Sequence, residues 1–393
     1  MARVLIIQAE MKRYRVPFFN ALHAALAGDG IELKVAYSNS DRRQLSRKDS
    51  AELPSSFGLK VRGRWFFDRF IYQSAWREIL CADVVIVSSE IKYLNNPILL
   101  MMSALRLKTV AYWGLGPNMH PGRSNLAEWI KERLATRVQW WFAYTASVAQ
   151  YLRGRGVSAE RITTVDNATD TTALRRLMRE ISDEEALAAK EDMTGSKWSK
   201  IGLYCGLMGH IKALPLLLDA ARQVKQRCPE FHLILVGSGP DREWLETSIA
   251  GEPWIHYLGS KYGRESALYY KMADFFLLSG TAGLAVVDSF AAGLPLLATH
   301  LPTHPPEISY VVDGENGLLS PHNAQDFSVS ILSVLSDPAL MEKLRRGAEA
   351  SGSRYTMEAM VGNFKGGIER CLALSGKCSL ATKRNQLMPE SEG

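Results

Sequence analysis

Along the chain, short runs of apolar and β-branched residues alternate with segments whose apolar positions recur at helical spacing, and the alternation occupies two separate stretches. In the first, the strand patterns RVLIIQ, ELKVAYS, DVVIVSS, KTVAYWG, QWWFAYT and ITTVDN are interleaved with helical patterns such as PFFNALHAALAG, NPILLMMSALR and ASVAQYLRGRG. In the second, KIGLYCG, HLILVGSG, WIHYLG, ADFFLLSG and LPLLATH alternate with ALPLLLDAARQVKQR, PDREWLETSIAG, ESALYYKM and LAVVDSFAAG. Strand then helix, repeated with short links, builds a parallel sheet covered on both faces. The expected class is therefore α/β, with two doubly wound Rossmann-like domains. The boundaries read as 1–175 for the first domain, 176–199 for a charged linker that ends in Gly and Ser, 200–375 for the second domain with closing helices, and 376–393 for a frayed polar tail. Open sheets of this kind bind ligands outside the carboxyl ends of their strands. The two domains are thus expected to face each other across a cleft, with the chemistry just after strands.

A composition that is 47% hydrophobic and 22% charged over 393 residues excludes a disordered chain. The net charge of +6 is unevenly placed: residues 1–190 hold 28 Lys and Arg against 19 Asp and Glu, the remainder 19 against 22. A basic first half suits a membrane surface, a phosphorylated acceptor or nucleic acid, and equally a solvated basic face. The five cysteines show no CxxC or metal-ligand spacing, which points to reduced thiols in a cytosol. MARVLIIQAE lacks the features of a signal peptide, and the longest apolar stretch, NPILLMMSALRL, is cut by Lys108 short of the ~20 residues of a membrane span. A cytoplasmic chain is expected.

Three links of the second half carry candidate chemistry. Gly206-Leu207-Met208-Gly209-His210-Ile211-Lys212 leads from a strand into a helix. Glycine lets backbone approach a ligand closely, and Lys212 adds a full charge to the partial charge of helix amides, which suits a diphosphate. A plain turn with a surface lysine is the alternative. LVGSGP, 235–240, offers Gly237 and Gly239 to a nucleotide, but Glu243 and Trp244 stand where a dinucleotide fingerprint needs its third glycine. In SGTAGLAVVDSFAAGLP, 279–295, Gly280, Thr281, Gly283 and Leu284 line the mouth of a helix. Asp288 lies one turn inside it, placed to reach a ribose diol or to be satisfied within the protein. In the first half, Tyr14 and Arg15 follow the first strand, and Trp113, Gly114, Asn118, His120 and Arg123 follow another. Tyr14, Tyr112 and Trp113 offer aromatic faces for a sugar ring or for apolar contacts, and the polar groups suit hydroxyls or phosphate, although His120 reads equally as a surface residue. GRWFFDRFIYQSAWR, 63–77, mixes aromatic and basic residues suited to lipid headgroups or to a core.

In order along the chain, VDNATD with Asn167 and Asp170, CGLMGHIKALPLLLDAA, LVGSGPDREWLE, YLGSKYGRESALYYKMADFFLLSG, GLAVVDSFAAGLPLLAT and VDGENGLLSP resemble the retaining glycosyltransferases of family 4, which have the GT-B architecture. The resemblance covers nearly the whole chain. It implies transfer of a sugar from a nucleotide-diphosphate donor to an acceptor hydroxyl with retention, without a permanently bound cofactor or a metal. Lys212 is then the catalytic cation on the departing diphosphate. Gly206, Gly237, Gly239, Gly280, Thr281, Gly283, Leu284 and Asp288 form the donor side, and Tyr14, Arg15, Trp113, Gly114, Asn118 and His120 the acceptor side.

The chain also departs from that pattern. Gly280 and Asp288 stand where the family usually places two glutamates, Leu207 where it places an arginine, and Leu115 where one subgroup has the histidine of Trp-Gly-His-Gly. That subgroup also carries a Gly-Leu-x-x-x-Asp arrangement resembling LLSGTAGLAVVD. Lys261, Arg264 and His210 are the cationic groups left to replace the missing arginine. The expected acceptor is a saccharide or a lipid-linked molecule of bacterial surface-polysaccharide assembly, with peripheral contact at the inner face of the membrane, and no nucleic acid is expected. The alternatives are a catalytically impaired binding or partner subunit of the same fold and a sugar-nucleotide epimerase.

Overall fold

The computed structural model describes residues 1–38, 50–67, 69–90, 92–116 and 136–376. Asn118, His120 and Arg123 lie outside the described residues, as does the expected tail beyond Gly376. The chain divides into two compact units, Met1–Asn167 joined by the segment from Met357 onward, and Ala168–Thr356.

The first unit contains β1 (Ala2–Glu10), β2 (Ile31–Ser38), β3 (Gly58–Lys60), β4 (Gly63–Phe66), β5 (Phe70–Gln73), β6 (Val84–Ser88), β7 (Thr109–Gly114), β8 (Trp140–Ala143) and β9 (Ile162–Thr164). Seven of these form one parallel sheet in the order β3-β2-β1-β6-β7-β8-β9, while β4 and β5 form a separate antiparallel hairpin. Central strands read as unbroken apolar runs because helices cover both faces: every residue of β8 is buried. The helix Met357–Leu374 completes this unit although it lies nearly two hundred residues further along the chain. Its Phe364 ring stacks on Phe142 with centroids 4.3 Å apart. One turn on, a Cβ at Gly367 would stand 2.5 Å from that same ring, so only glycine admits the contact.

The second unit contains β10 (Lys200–Cys205), β11 (Phe231–Val236), β12 (Ile255–Tyr257), β13 (Phe275–Leu278), β14 (Leu296–Thr299) and β15 (Gly317–Ser320). They are all parallel, in the order β12-β11-β10-β13-β14-β15. Renumbered within the unit this is 3-2-1-4-5-6, the nucleotide-binding order whose switch point lies between β10 and β13. The links after these two strands are the first and third glycine-bearing links of the sequence.

The expected linker is instead folded into the second unit. Residues 176–180 and 183–194 fall in the helices Thr172–Glu180 and Asp183–Thr194. The second begins on Ser182, whose hydroxyl accepts from the Glu185 amide, and ends on Gly195 in the left-handed conformation. Ion pairs fasten both its ends: Asp183 with Lys271 at 2.9 Å, Glu185 with Arg264 at 2.7 Å, and the largely buried Lys190 with Asp274 at 3.3 Å. Charge along this stretch reflects partners within the unit, not solvation of a tether.

Candidate functional site

At the carboxyl edge of the second unit three links are stitched together through their backbones. After β10, the Gly206 amide donates to the Val236 carbonyl at 2.9 Å and the Met208 amide to the Ser238 carbonyl at 3.1 Å. A Cβ at Gly237, which has φ +137, would meet the Gly206 carbonyl oxygen at 1.8 Å, and one at Gly239 would meet the Met208 oxygen at 2.1 Å. The close approach that these two glycines permit is therefore to the neighbouring link, which corrects the expectation that they open space for a nucleotide. Tyr204 and Tyr257 brace the same region, their hydroxyls donating to the carbonyls of Leu207 and Gly237.

The link after β13 is tied to the end of the first one. The Thr281 amide and hydroxyl both donate to the Ile211 carbonyl, and the Ser279 hydroxyl donates to the Lys212 carbonyl at 2.9 Å. Gly280 is fully buried at this seam: a Cβ there would stand 2.3 Å from the Lys212 carbonyl carbon. The glutamate usual at this position thus has no room. Lys212 turns its ammonium back across the seam, donating to the Thr281 carbonyl at 2.6 Å. Burial pushes its pKa below the ordinary 10.5. Ala213, next in the chain, adopts φ +47, an uncommon conformation for a residue with a Cβ, and starts the helix Leu214–Arg227.

Beyond the seam the link opens. Among the described residues nothing lies within 4 Å of the position a Cβ on Gly283 would take, and Leu284 begins the short helix Ala285–Ala291. Asp288 is partly buried on this helix and accepts from the Thr169 hydroxyl at 3.3 Å. Desolvation pushes its carboxyl up to about 6, with the Thr169 hydrogen bond opposing. Cys205 at the end of β10 is hydrogen-bonded to Tyr270, and burial lifts its thiol to about 11, which makes it a poor nucleophile.

His304 is a residue that the sequence reading missed. Its Nδ1 accepts from the Ala282 amide at 3.0 Å and its Nε2 faces the Thr299 carbonyl at 2.7 Å, so the ring is the neutral Nε2–H tautomer and pins the 279–284 link to the end of β14. Burial holds its pKa below 6.5. Of the three cations expected to replace the missing arginine, His210 stands on the link after β10 itself. Lys261 pairs with Glu265 and Arg264 with Glu185, while His210 is exposed.

In the first unit, Trp113 is only 2% exposed, with its ring against Phe18, Phe19 and Phe364. The guanidinium of Arg15 covers it at 4.9 Å and donates to Asn167 at 2.9 Å. Trp113 is therefore core and offers no face to a sugar, and Arg15 is likewise buried as a packing cation. Tyr14 remains exposed, and Gly114 packs against the Ser89 hydroxyl. Among the described residues no group of three His, Cys, Asp or Glu side chains is arranged to hold a metal ion.

Comparison with known families decides what kind of unit carries these links. The family described as Glycosyl transferases group 1 matches residues 199–337. Over these residues the second unit matches a group 1 glycosyltransferase domain. Alpha-monoglucosyldiacylglycerol synthase of Acholeplasma laidlawii is 25% identical over 183 residues, covering 45% of this chain and 45% of its own length. The sulfoquinovosyl transferase of Arabidopsis thaliana is 28% identical over 161 residues, 40% of this chain and 31% of its own. The chain thus spans less than half the length of these curated relatives.

Similarity to solved structures extends further. Anabaena HepE in complex with UDP has a TM-score of 0.66 at 14% identity, covering 94% of this chain and 99% of that one. Sucrose-phosphate synthase from Thermosynechococcus elongatus also has a TM-score of 0.66, at 16% identity, covering 95% and 100%. These likenesses establish the GT-B fold for the chain that carries the group 1 glycosyltransferase match.

Proposed function

We propose that the chain transfers a sugar from a nucleoside-diphosphate donor to a hydroxyl of a saccharide or lipid-linked acceptor, with retention at the anomeric carbon. What supports this reading is that a partly buried ammonium and an open glycine link lie at the switch point of the second unit, with a carboxylate on the helix that this link enters. Charge grows on the diphosphate as the sugar departs, and a preorganised cation in a dry setting stabilises that state more than the ground state. Lys212 supplies the cation, exchanging the Thr281 carbonyl for phosphate oxygen. The carboxylate of Asp288 accepts from the donor ribose. HepE, solved with UDP, supports a uridine diphosphate sugar as the first donor to test.

A lipid-linked acceptor is supported by the relatives named as glycolipid synthases and by the surface of the first unit. There Phe67 is 93% exposed at the tip of the β4–β5 hairpin beside Arg64 and Arg69, and the helix Asn96–Ala104 exposes Ile98 and Met101. No described helix is long and apolar enough to cross a membrane. Co-sedimentation with anionic vesicles at low salt tests the contact, and indifference to them removes it.

A second reading, a donor-binding subunit without turnover, is favoured by Gly280, because the space for the family's glutamate is filled by backbone. Titration with UDP-, GDP-, ADP- and TDP-sugars, followed by turnover with candidate acceptors, separates the two. Binding that is lost in Lys212→Ala and accompanied by turnover supports transfer. Binding without turnover moves the second reading ahead, and the absence of any binding by folded protein sinks both.

A further inference from the structure

A cavity of about 480 Å³ lies at the opposite edge of the second unit's sheet. Ala273 and Leu294, which precede β13 and β14, line it, so it sits at the amino ends of the strands whose carboxyl ends carry the candidate donor links. Four-residue strands separate the two edges by roughly 13 Å. The volume falls in the range of small-molecule sites.

The lining is strongly cationic. Arg175 and Arg179 come from the helix Thr172–Glu180, Lys271 from Gly263–Met272, and Arg345 from Pro338–Arg354, with Glu349 as the single carboxylate. Two of the four cations are engaged: Arg175 donates to the Gly352 carbonyl, and Lys271 pairs with Asp183. Among the described residues Arg179 and Arg345 have neither a hydrogen-bond nor an ion-pair partner. Three guanidinium groups from two helices line the cavity with one carboxylate to offset them, an excess of positive charge that favours an anion. Guanidinium forks match phosphate oxygens in pairs, which selects a phosphate group over a halide.

We propose that this cavity is a second anion site, distinct from the donor links, that takes the phosphate group of a small molecule or of a lipid headgroup. The site stands independently of the transferase reading, because none of its cations belongs to the donor links.

The test is the melting temperature and calorimetric binding of the full chain with inorganic phosphate, against chloride at matched ionic strength, and in a separate arm with phosphatidylglycerol vesicles against phosphatidylcholine. Arg179→Ala/Arg345→Ala should weaken the response by roughly tenfold or more, while Lys212→Ala should retain it. A response to free phosphate that the double arginine variant loses assigns a soluble ligand, and a response to the vesicles alone that the double variant loses assigns a headgroup at this cavity. Absence of both responses in the wild type overturns the site. So does a response that survives the double arginine variant or is lost in Lys212→Ala, since the anion would then lie elsewhere or in the donor links. The wild-type arms read out even if the double variant does not fold.

Discussion

The two edges of the second unit's sheet are built in opposite ways. At the carboxyl edge, three links are fused by backbone hydrogen bonds through glycines that leave no room for side chains, and the Lys212 ammonium is turned onto a carbonyl. At the amino edge, long cationic side chains from separate helices line an open cavity. Rigidity concentrates at the first edge, where chemistry demands fixed positions, and charge at the second. Substitutions should therefore damage the fold at the carboxyl edge and leave it almost untouched at the amino edge.

Gly280→Glu is the sharpest way to break this contrast. Although it would recreate the carboxylate usual at that position, its Cβ has no space against Lys212, and a loss of about 3–5 kcal/mol is expected in chemical denaturation. A variant with wild-type stability would show that the seam yields.

Next in size is Lys212→Ala. Transfer should fall by about 10²–10³-fold, or ~2.7–4 kcal/mol of barrier, with a smaller change in unfolding free energy. Equal losses in both would make Lys212 structural.

Asp288 makes the carboxyl edge sensitive to pH. Its folded pKa of about 6 lies above the ordinary 3.8, so the folded state holds the proton more tightly than the unfolded chain. The resulting stability is fully present below pH 3.8 and is lost as pH rises through about 6. The loss amounts to up to about 3 kcal/mol. Asp288→Asn should remove this slope and weaken nucleotide binding, and an unchanged slope would place the titration elsewhere.

The smallest effect is expected at the other edge. Arg345→Ala without added anion should leave the unfolding free energy within about 0.5 kcal/mol. A larger loss would show that this arginine already has a structural partner.

The same contrast explains what could be read beforehand. The carboxyl edge was visible because its parts are local: strand, glycine, lysine and helix follow one another within a dozen residues, and the strand runs are apolar on both faces. Local spacing does not say what a glycine approaches, which is why Gly237 and Gly239 were assigned to a nucleotide and not to Gly206 and Met208. His304 escaped notice because a lone histidine in LPTHPP carries no pattern, and its role comes from two backbone partners. Trp113 could not be settled between a sugar face and apolar contacts because burial, not residue type, decides whether an aromatic face is free. The amino-edge cavity could not be seen at all, since Arg175, Lys271 and Arg345 meet only after the helices pack. The charged stretch 176–199 read as helical at first but still as a linker, because the ion-pair partners that tie it into the second unit lie some eighty residues ahead.

The return of the helix Met357–Leu374 to the first unit bears on how the protein is made. During synthesis, the segment from Ala168 to Thr356 leaves the ribosome as one continuous stretch and contains everything its own sheet needs. The first unit, begun earlier, waits for Phe364 to cover Phe142 and for Gly367 to settle beside it. The part of the chain that is translated first is therefore the last to finish folding.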